Sequence, residues 1–291
     1  MYDNKRGSDY STELPYFIKL WDERAAAGSR QTAATWDERA AEWIVEMDES
    51  GTDSALSQRV EAMAGYLRKR GLLSEDDRIL DVGCGLGSFA IEFAKTSGHV
   101  LGIDFSSRFI EHGNSLVMQH GITNVSFEEH DLLTLDVDSS GFSGAFDLVF
   151  ASISPAVTAK GCLQKLMKMS KGKCCNVSYL SSNDSLLSCI IRDVYGGNAR
   201  PRRDGMGFYA LLNLLLLSGY YPETHYFTVE ASKPATPSQK LANDLAFNLR
   251  LDSAEDTEKI LRYLEKKGET VRHTVTRFGS LLWDTRLSSL L

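Results

Sequence analysis

The central part of the chain alternates short apolar runs with stretches in which apolar residues recur every three or four positions. The first pattern predicts buried strands, and the second predicts amphipathic helices. Strands joined through helices by short loops predict an α/β fold, a doubly wound, mostly parallel sheet with helices on both faces. The predicted strands are Arg78–Val82, His99–Ile103, Asn124–Glu129, Phe146–Ala151 and Lys173–Tyr179, and the predicted helices between them are Gly87–Ser97, Ser106–His120 and Thr158–Ser170.

The segments on either side follow other patterns. A six-residue string occurs twice, as Trp21-Asp-Glu-Arg-Ala-Ala26 and Trp36-Asp-Glu-Arg-Ala-Ala41. It predicts two short helices, the second capped by Thr35. After the central part we predict an apolar helix, a strand, a linker, two polar helices and a final strand. These two strands would form an antiparallel pair at one edge of the sheet, with the helical insertion between them. The apolar helix is Met206–Ser218, the first of the two strands is Thr224–Glu230, and the linker is Ser232–Ser238. The polar helices are Ser238–Leu249 and Ala254–Lys267, and the final strand is Glu269–Leu282.

Composition narrows the class of protein. The 291 residues are 43% hydrophobic and carry a net charge of −7, which argues against a nucleic-acid partner because that would need a basic face. No apolar run approaches the ~18 residues of a membrane span, and the amino terminus lacks a signal-peptide core. The five cysteines show no CxxC or Cys/His spacing, so we expect no metal site and a reduced, cytoplasmic protein.

The chemistry points to one glycine-rich turn. Gly83, Gly85 and Gly87 directly follow the first predicted strand, and Asp104 ends the second. Such a turn lets the backbone approach a ligand, and the acid accepts hydrogen bonds from ribose hydroxyls. Asp81 would repel a pyrophosphate but suits a cationic amino group. A nicotinamide dehydrogenase is the weakest alternative, because Ser88 stands where the GxGxxG pattern has glycine.

Four segments together resemble class I S-adenosylmethionine-dependent methyltransferases. Asp81-Val-Gly-Cys-Gly-Leu-Gly87 is similar to the first motif of that family, and Gly102-Ile-Asp-Phe-Ser106 is similar to the second. His130-Asp-Leu132 and Phe146-Asp-Leu-Val-Phe-Ala151 match the segments at the third and fourth strands. The resemblance covers roughly residues 36 to 180. It implies that the cofactor is S-adenosylmethionine and that the product is S-adenosylhomocysteine.

The resemblance also implies roles for individual residues. Asp81 and the turn Gly83, Cys84, Gly85 and Gly87 would hold the methionine part, with Cys84 a packing residue. Asp104 would bind the ribose hydroxyls, and Phe105 and Ser106 follow it in the second motif. The remaining cofactor residues are Phe105 and Leu132 beside the adenine, Asp131 on its amino group, Ala151 and Ser152 along the passage to the methyl group, and Trp36 as a lid.

The sequence gives a weaker signal for the residues that would bind the substrate. Ser152-Ile-Ser-Pro155 lacks the leading amide or acid and the second proline that amide- and adenine-methylating relatives carry there. Trp36 is either a lid or ordinary helix packing, and His130 is either a weak candidate base or structural. Arg200, Arg202 and Arg203 would either grip an anionic group of the substrate or form a solvated loop.

We therefore expect a cytoplasmic methyltransferase that acts on a small molecule by in-line displacement. One alternative is methylation of RNA or a protein side chain, and another is a non-catalytic module that binds the cofactor. The predicted organisation is a helical lid over 1–53, a cofactor-binding core over 54–231, a helical insertion over 232–268 that caps the substrate side, and the final edge strand of the core over 269–291. Neither the methyl acceptor nor the oligomeric state follows from the sequence.

Overall fold

A computed structural model describes residues 13–28, 32–50, 54–201, 205–251 and 253–286. Its seven strands form one sheet in the order β3-β2-β1-β4-β5-β7-β6, with an antiparallel edge. This arrangement confirms the predicted fold class. The strands are β1 Arg78–Val82, β2 His99–Asp104, β3 Val125–Glu129, β4 Phe146–Ser152, β5 Ser170–Asp184, β6 Glu223–Ala235 and β7 Thr270–Asp284.

The first five strands pair in parallel with one another. Leu80 of β1 pairs with Leu101 of β2 on one side and with Val149 of β4 on the other. All three side chains are buried, as expected for a parallel sheet that is covered on both faces. Strand order reverses between β1 and β4, so a ligand crevice is expected at their carboxyl ends.

Helices follow the strands as the periodicity predicts. The helix α5 buries Phe109, Ile110 and Val117 on one face. The helix predicted over Thr158–Ser170 begins later, at Cys162, because Gly161 with φ 79° precedes it, and a separate short helix ends at Thr158. The helices of the amino-terminal part and core are α1 Glu13–Gly28, α2 Ala33–Ser50, α3 Ser54–Lys69, α4 Ser88–Ala94, α5 Ser107–Gln119, α6 Pro155–Thr158 and α7 Cys162–Met169.

The two copies of the repeated string lie in α1 and α2, which are longer than the short helices predicted. Thr35 is not the cap of the second one. The helix already begins at Ala33, and the Oγ1 of Thr32 accepts a hydrogen bond from the Thr35 backbone N–H at 3.4 Å. The preceding threonine therefore takes the place that the sequence assigned to Thr35.

The carboxyl-terminal elements confirm the predicted pair of edge strands with helices between them. The predicted linker Ser232–Ser238 is wrong in its first half, because β6 continues to Ala235. Proline is tolerated there since β6 lies at the sheet edge. An additional helix, α8, was not predicted. The remaining helices are α8 Ser185–Asp193, α9 Met206–Leu217, α10 Gln239–Asn248 and α11 Ala254–Lys267.

The chain forms two compact units. The first consists of Met1–Ser178, Gly207–His225 and Ser280–Leu291, and the second of Tyr179–Met206 and Tyr226–Gly279. The second unit has its own apolar core, in which Leu186 and Ile190 of α8 pack with Leu245 of α10 and Ile260 of α11. The predicted division into four segments stays a prediction.

Asp184 organises the second unit. One oxygen of its buried carboxylate caps α8 by accepting the backbone N–H groups of Leu186 and Leu187. The other accepts two hydrogen bonds from the Arg272 guanidinium, at 2.8 and 2.6 Å. Removing the carboxylate would leave both a helix end and a cation without a partner.

Candidate active site

The glycine turn begins directly after β1 and is fastened to β2. The backbone N–H groups of Gly83 and Cys84 both donate to the Ile103 carbonyl, at 2.8 and 3.1 Å. Gly83, Gly85 and Gly87 have φ values of 70°, 52° and 77°. Residues with side chains seldom adopt this left-handed region, so the turn requires glycine at all three positions.

The three glycines differ in what a side chain would meet. A Cβ on Gly83 would lie 2.1 Å from the Oγ of Ser154, and one on Gly87 would lie 2.6 Å from the ring of Phe127. A Cβ on Gly85 would have no atom of the described chain within 4 Å. Gly83 and Gly87 are therefore needed for packing within the protein, whereas Gly85 faces the space that is open to a ligand.

Phe127 is a structural residue of the site that the sequence analysis missed. Its ring also lies where a Cβ on Gly102 of β2 or Gly113 of α5 would be, at 2.5 and 2.8 Å. Three glycines from separate elements thus form a socket for one aromatic ring. The spacing of these glycines along the chain gave no signal, because the socket forms only when β2, α4 and α5 come together.

Asp104 ends β2 and connects the glycine turn to the following segment. One carboxylate oxygen accepts the Gly85 backbone N–H at 3.0 Å, and the other accepts that of Ser106 at 3.1 Å. Burial raises the pKa of Asp104, while these two N–H groups oppose the shift. Each carboxylate oxygen can accept a further hydrogen bond, so the group can still bind hydroxyls.

Asp81 is the most buried carboxyl of the site, with 2% of its surface exposed. Burial, and next the charge of Asp104, raise the pKa of Asp81 to about 7, against the opposing effect of the Arg59 guanidinium. Its Oδ2 has no hydrogen-bond partner in the part of the chain that the structure describes. Buried polar atoms are seldom left unpaired, so this oxygen fits a ligand with a cationic amino group.

Helix α2 covers the end of β2 and the residue after it. The Ser106 hydroxyl donates to the Asp37 carboxylate at 2.5 Å, and the Trp36 ring meets the Phe105 ring edge-on at 6.4 Å. Trp43 in turn packs on Phe109 of α5, with ring centroids 5.9 Å apart. Trp36 therefore packs as expected for a helix residue, and the residue that it packs on, Phe105, is itself predicted to bind the cofactor. Its role as a lid stays a prediction.

The segment after β3 lies against Asp104. The His130 backbone N–H donates to the Asp104 carbonyl at 2.9 Å. The His130 ring contacts the Glu128 carboxylate at 3.1 Å and the edge of Phe142 at 5.4 Å between centroids. These contacts support the structural alternative for His130. Asp131 accepts the backbone N–H of Leu133 with one oxygen, which leaves the other for a ligand, and Leu132 is buried.

The turn after β4 is strained. Ile153 has φ 57°, a conformation that β-branched residues rarely adopt and that costs about 1–3 kcal/mol. The neighbouring Ser152 Oγ is buried and has no hydrogen-bond partner among the described residues, and Ala151 is fully buried. Such strain is typical of functional sites, and here it occurs between Ser152, the last residue of β4, and Ser154, whose Oγ lies beside Gly83. No sequence signal indicates this backbone conformation.

The remaining predicted site residues have no described contact with the residues named above, or have a packing role. Arg200 is exposed and lies in the second compact unit, while Arg202 and Arg203 lie outside the described residues. Burial and the charge of Asp81 raise the pKa of Cys84 well above its usual value, which fits a packing residue. The described residues contain no cluster suited to a metal ion and no helix able to cross a membrane.

Residues 73–194 match the protein family described as a methyltransferase domain. The match contains β1 to β5, the glycine turn, Asp81 and Asp104. Over these residues, which contain all four motifs, the chain is similar to a methyltransferase domain. The family resemblance stated from the sequence is thereby confirmed for this domain.

Related proteins differ in what they methylate. The chain is 30% identical over 118 residues to a 23S rRNA uracil-C5 methyltransferase of Klebsiella pneumoniae, covering 40% of this chain and 26% of that enzyme. It is 34% identical over 86 residues to the EEF1A lysine methyltransferase 2 of Homo sapiens, covering 28% of this chain and 36% of that protein. The chain thus spans about a quarter of the length of the rRNA enzyme.

Two solved structures are similar to the chain at low sequence identity. A magnesium protoporphyrin IX methyltransferase of Synechocystis PCC 6803 is 14% identical with a TM-score of 0.45, covering 78% of this chain and 83% of that one. A geranyl diphosphate C-methyltransferase of Streptomyces coelicolor A3(2) is 16% identical with a TM-score of 0.41, covering 77% of each chain.

Proposed function

We propose that the protein transfers a methyl group from S-adenosylmethionine to a small-molecule acceptor. The observation that carries this proposal is the packing of two amino-terminal helices on elements of the site. Helix α1 packs on α6, which begins at Pro155 directly after the strained turn, and α2 packs on Phe105. Helices in these positions would cover the site and would favour an acceptor small enough to enter beneath them.

The residues around the glycine turn have proposed roles in binding the cofactor. Asp81 would accept the ammonium group, Asp104 would accept the ribose hydroxyls, and Phe105 would pack on the adenine. Asp131 would accept from the adenine amino group with its free oxygen. The unpaired Asp81 oxygen and the open space at Gly85 support this assignment.

When bound, S-adenosylmethionine would supply an activated methyl group, which would pass in line to the nucleophile of the acceptor as the carbon–sulfur bond breaks and S-adenosylhomocysteine leaves. The protein then has to align the acceptor and exclude water. Ala151 and Ser152 would line the approach, and the Ser152 hydroxyl, which is buried without a partner among the described residues, would hold a polar group of the acceptor. A base is required only where the nucleophile holds its proton strongly, and the contacts of His130 give no support for that role.

Two other functions compete with this proposal. The named relatives act on RNA and on a protein lysine, so a macromolecular acceptor is the first alternative. The net charge of −7 counts against RNA, because phosphate contacts need a basic surface. The second alternative is a module that binds the cofactor without turnover.

An acceptor screen separates the three functions. The purified protein is incubated with methyl-labelled S-adenosylmethionine and an extract of the source cells, which is then divided into small-molecule, RNA and protein fractions. We expect label in the small-molecule fraction only, and none above background with Asp104→Ala. Label in RNA or protein would support the first alternative, and cofactor binding without any labelled product would support the second.

Cofactor affinity should depend on pH through Asp81. Its pKa of about 7 means that this group is largely neutral below pH 7 and must lose a proton to pair with an ammonium. The affinity should therefore fall by up to about tenfold for each pH unit below 7, where an α-amino group with a pKa of ~7.7–8 stays cationic.

Calorimetric titrations with S-adenosylmethionine between pH 5.5 and 7 measure this dependence. Asp81→Asn is the matched control, since it keeps the shape of the side chain but cannot ionise. It should bind more weakly at pH 7 and lose the part of the slope that Asp81 causes. An equal slope in both proteins would show that another group, such as Asp104, is responsible.

A further inference from the structure

Strand β5 buries three polar side chains, and two of them serve the fold. Ser170, its first residue, makes two hydrogen bonds with the backbone that follows it. Asp184, its last residue, caps α8 and pairs with a guanidinium. Asn176 lies between them with 5% of its surface exposed. Its side chain makes one hydrogen bond within the described chain, from Nδ2 to the Oγ of Ser178 at 3.0 Å.

The amide of Asn176 can form more hydrogen bonds than the fold uses. An asparagine side chain has two N–H donors and a carbonyl oxygen with two lone pairs. One donor is used by Ser178, and the other donor and the carbonyl oxygen have no partner in the part of the chain that the structure describes. Burial of an amide without partners is unfavourable. The contact with Ser178 therefore does not account for an amide at this position.

Asn176 lies near the carboxyl end of the parallel strands. Its Cα partner on β4 is Ala151, and the next pair in the register is Val177 with Ser152. Because side chains alternate along each strand, residues paired in this way lie on the same face of the sheet. The amide therefore shares a face with Ala151, which is predicted to line the passage to the methyl group.

The strained turn after β4 is fastened to β5 between Asn176 and Ser178. The Ile153 backbone N–H donates to the Val177 carbonyl at 3.0 Å. The left-handed Ile153 is thus held against the strand that carries the amide. Strained backbone persists only where the surrounding structure fixes it, and it clusters where proteins bind ligands. Two independent features, the unused amide and the strained turn, therefore meet at one place.

We propose that Asn176, oriented by Ser178, binds the methyl acceptor through an uncharged polar group that both donates and accepts hydrogen bonds, such as a carboxamide or a hydroxyl. This inference rests on the proposed function, since it names the class of acceptor for the same site. Neither side chain carries a charge, and a buried charge needs a partner of opposite sign. The acceptor class thus differs from the anionic one that the arginines at 200, 202 and 203 would bind.

Asn176→Leu tests this role, because leucine keeps the approximate size of the side chain and removes its hydrogen bonds. Wild type and variant receive methyl-labelled S-adenosylmethionine and increasing amounts of the small-molecule fraction of the cell extract. At low amounts of the fraction, we expect the labelling rate to fall about ten- to a hundredfold. The loss should shrink as the fraction saturates the enzyme, because a lost contact with the acceptor raises KM. The affinity for S-adenosylmethionine should stay within about twofold of the wild type.

Thermal melts separate a role in binding from a role in the fold. An amide whose partners come from the ligand gives the free protein little stability. Asn176→Leu should therefore melt at the temperature of the wild type or above it. Ser178→Ala is the second variant, and it provides the test if Asn176→Leu does not fold. Ser178 is half-buried, so its loss should spare the fold and lower the labelling rate several-fold by releasing the amide.

Cys174→Ala is the matched control. Cys174 is buried two residues earlier on the same face of β5, and its thiol donates to the Leu166 carbonyl at 3.8 Å. Loss of the thiol leaves a small cavity in the core, so this variant should melt at a lower temperature. It should keep the labelling rate per folded molecule, which is the reverse of the result expected for Asn176→Leu.

Three outcomes would overturn the inference. A folded Asn176→Leu protein that melts lower and labels at the wild-type rate would show that the amide serves the fold. A loss of labelling that follows weaker cofactor binding would place the effect at the cofactor. A labelled acceptor without an uncharged polar group would contradict the acceptor class. A wild type that binds S-adenosylmethionine but labels no small molecule would instead overturn the proposed function itself.

Discussion

Replacing Asp104 with alanine is expected to weaken S-adenosylmethionine binding roughly a hundredfold, or about 3 kcal/mol. The substitution removes the proposed acceptor of two ribose hydroxyls. It also removes the acceptor of the Gly85 and Ser106 N–H groups, which hold the turn in place. The first loss falls on the bound state alone, whereas the second also loosens the turn in the free protein, and calorimetric titration of the variant measures their combined effect on binding.

Asp147→Ala is the control for this substitution. Asp147 also accepts a backbone N–H, that of Arg78 at 3.0 Å, but it lies at the opposite end of the strands. Its loss should lower stability slightly and leave cofactor affinity unchanged. An Asp104→Ala protein that binds with wild-type affinity would refute the role in binding ribose.

Gly85→Val should abolish detectable cofactor binding. The position has φ 52°, and no atom of the described chain lies within 4 Å of a Cβ built there. A valine side chain would therefore project into the space proposed for the ligand. The left-handed backbone would also cost about 1–2 kcal/mol of stability.

Gly121→Val separates these two effects. Gly121 has φ 64° and an equally open environment, but it follows α5 at the opposite end of the strands. Both variants should lose similar stability in denaturant unfolding, and only Gly85→Val should lose binding. Normal binding by a folded Gly85→Val protein would contradict a close approach of ligand to this glycine.

The core was predictable because its signals are local. The bounds of β1 match the prediction, since an apolar run buried on both faces ends at a glycine turn. The positions of Asp81, Gly85 and Asp104 followed from the same strands. Parallel strands place their carboxyl ends at one edge, so sequence order alone indicated which side chains meet.

Other features depend on partners distant in sequence. β5 runs to Asp184 rather than Tyr179, because its polar end pairs with β7, as in the 3.0 Å contact between Ser182 and Thr276. β6 likewise extends into the predicted linker, where Ser232 contacts His273 of β7 at 2.8 Å. Serine- and proline-containing segments give no strand signal unless that neighbour is known.

The site itself was predicted only in part. The left-handed Ile153, the Phe127 socket and the contact of Asp37 with Ser106 depend on tertiary structure, and no residue pattern indicates them.

The most direct test of the whole account is calorimetric titration of the purified protein with S-adenosylmethionine and S-adenosylhomocysteine, with NAD as the control ligand. The account predicts binding in the micromolar range for the first two and none for NAD. Binding of NAD in place of the two adenosyl ligands would contradict it.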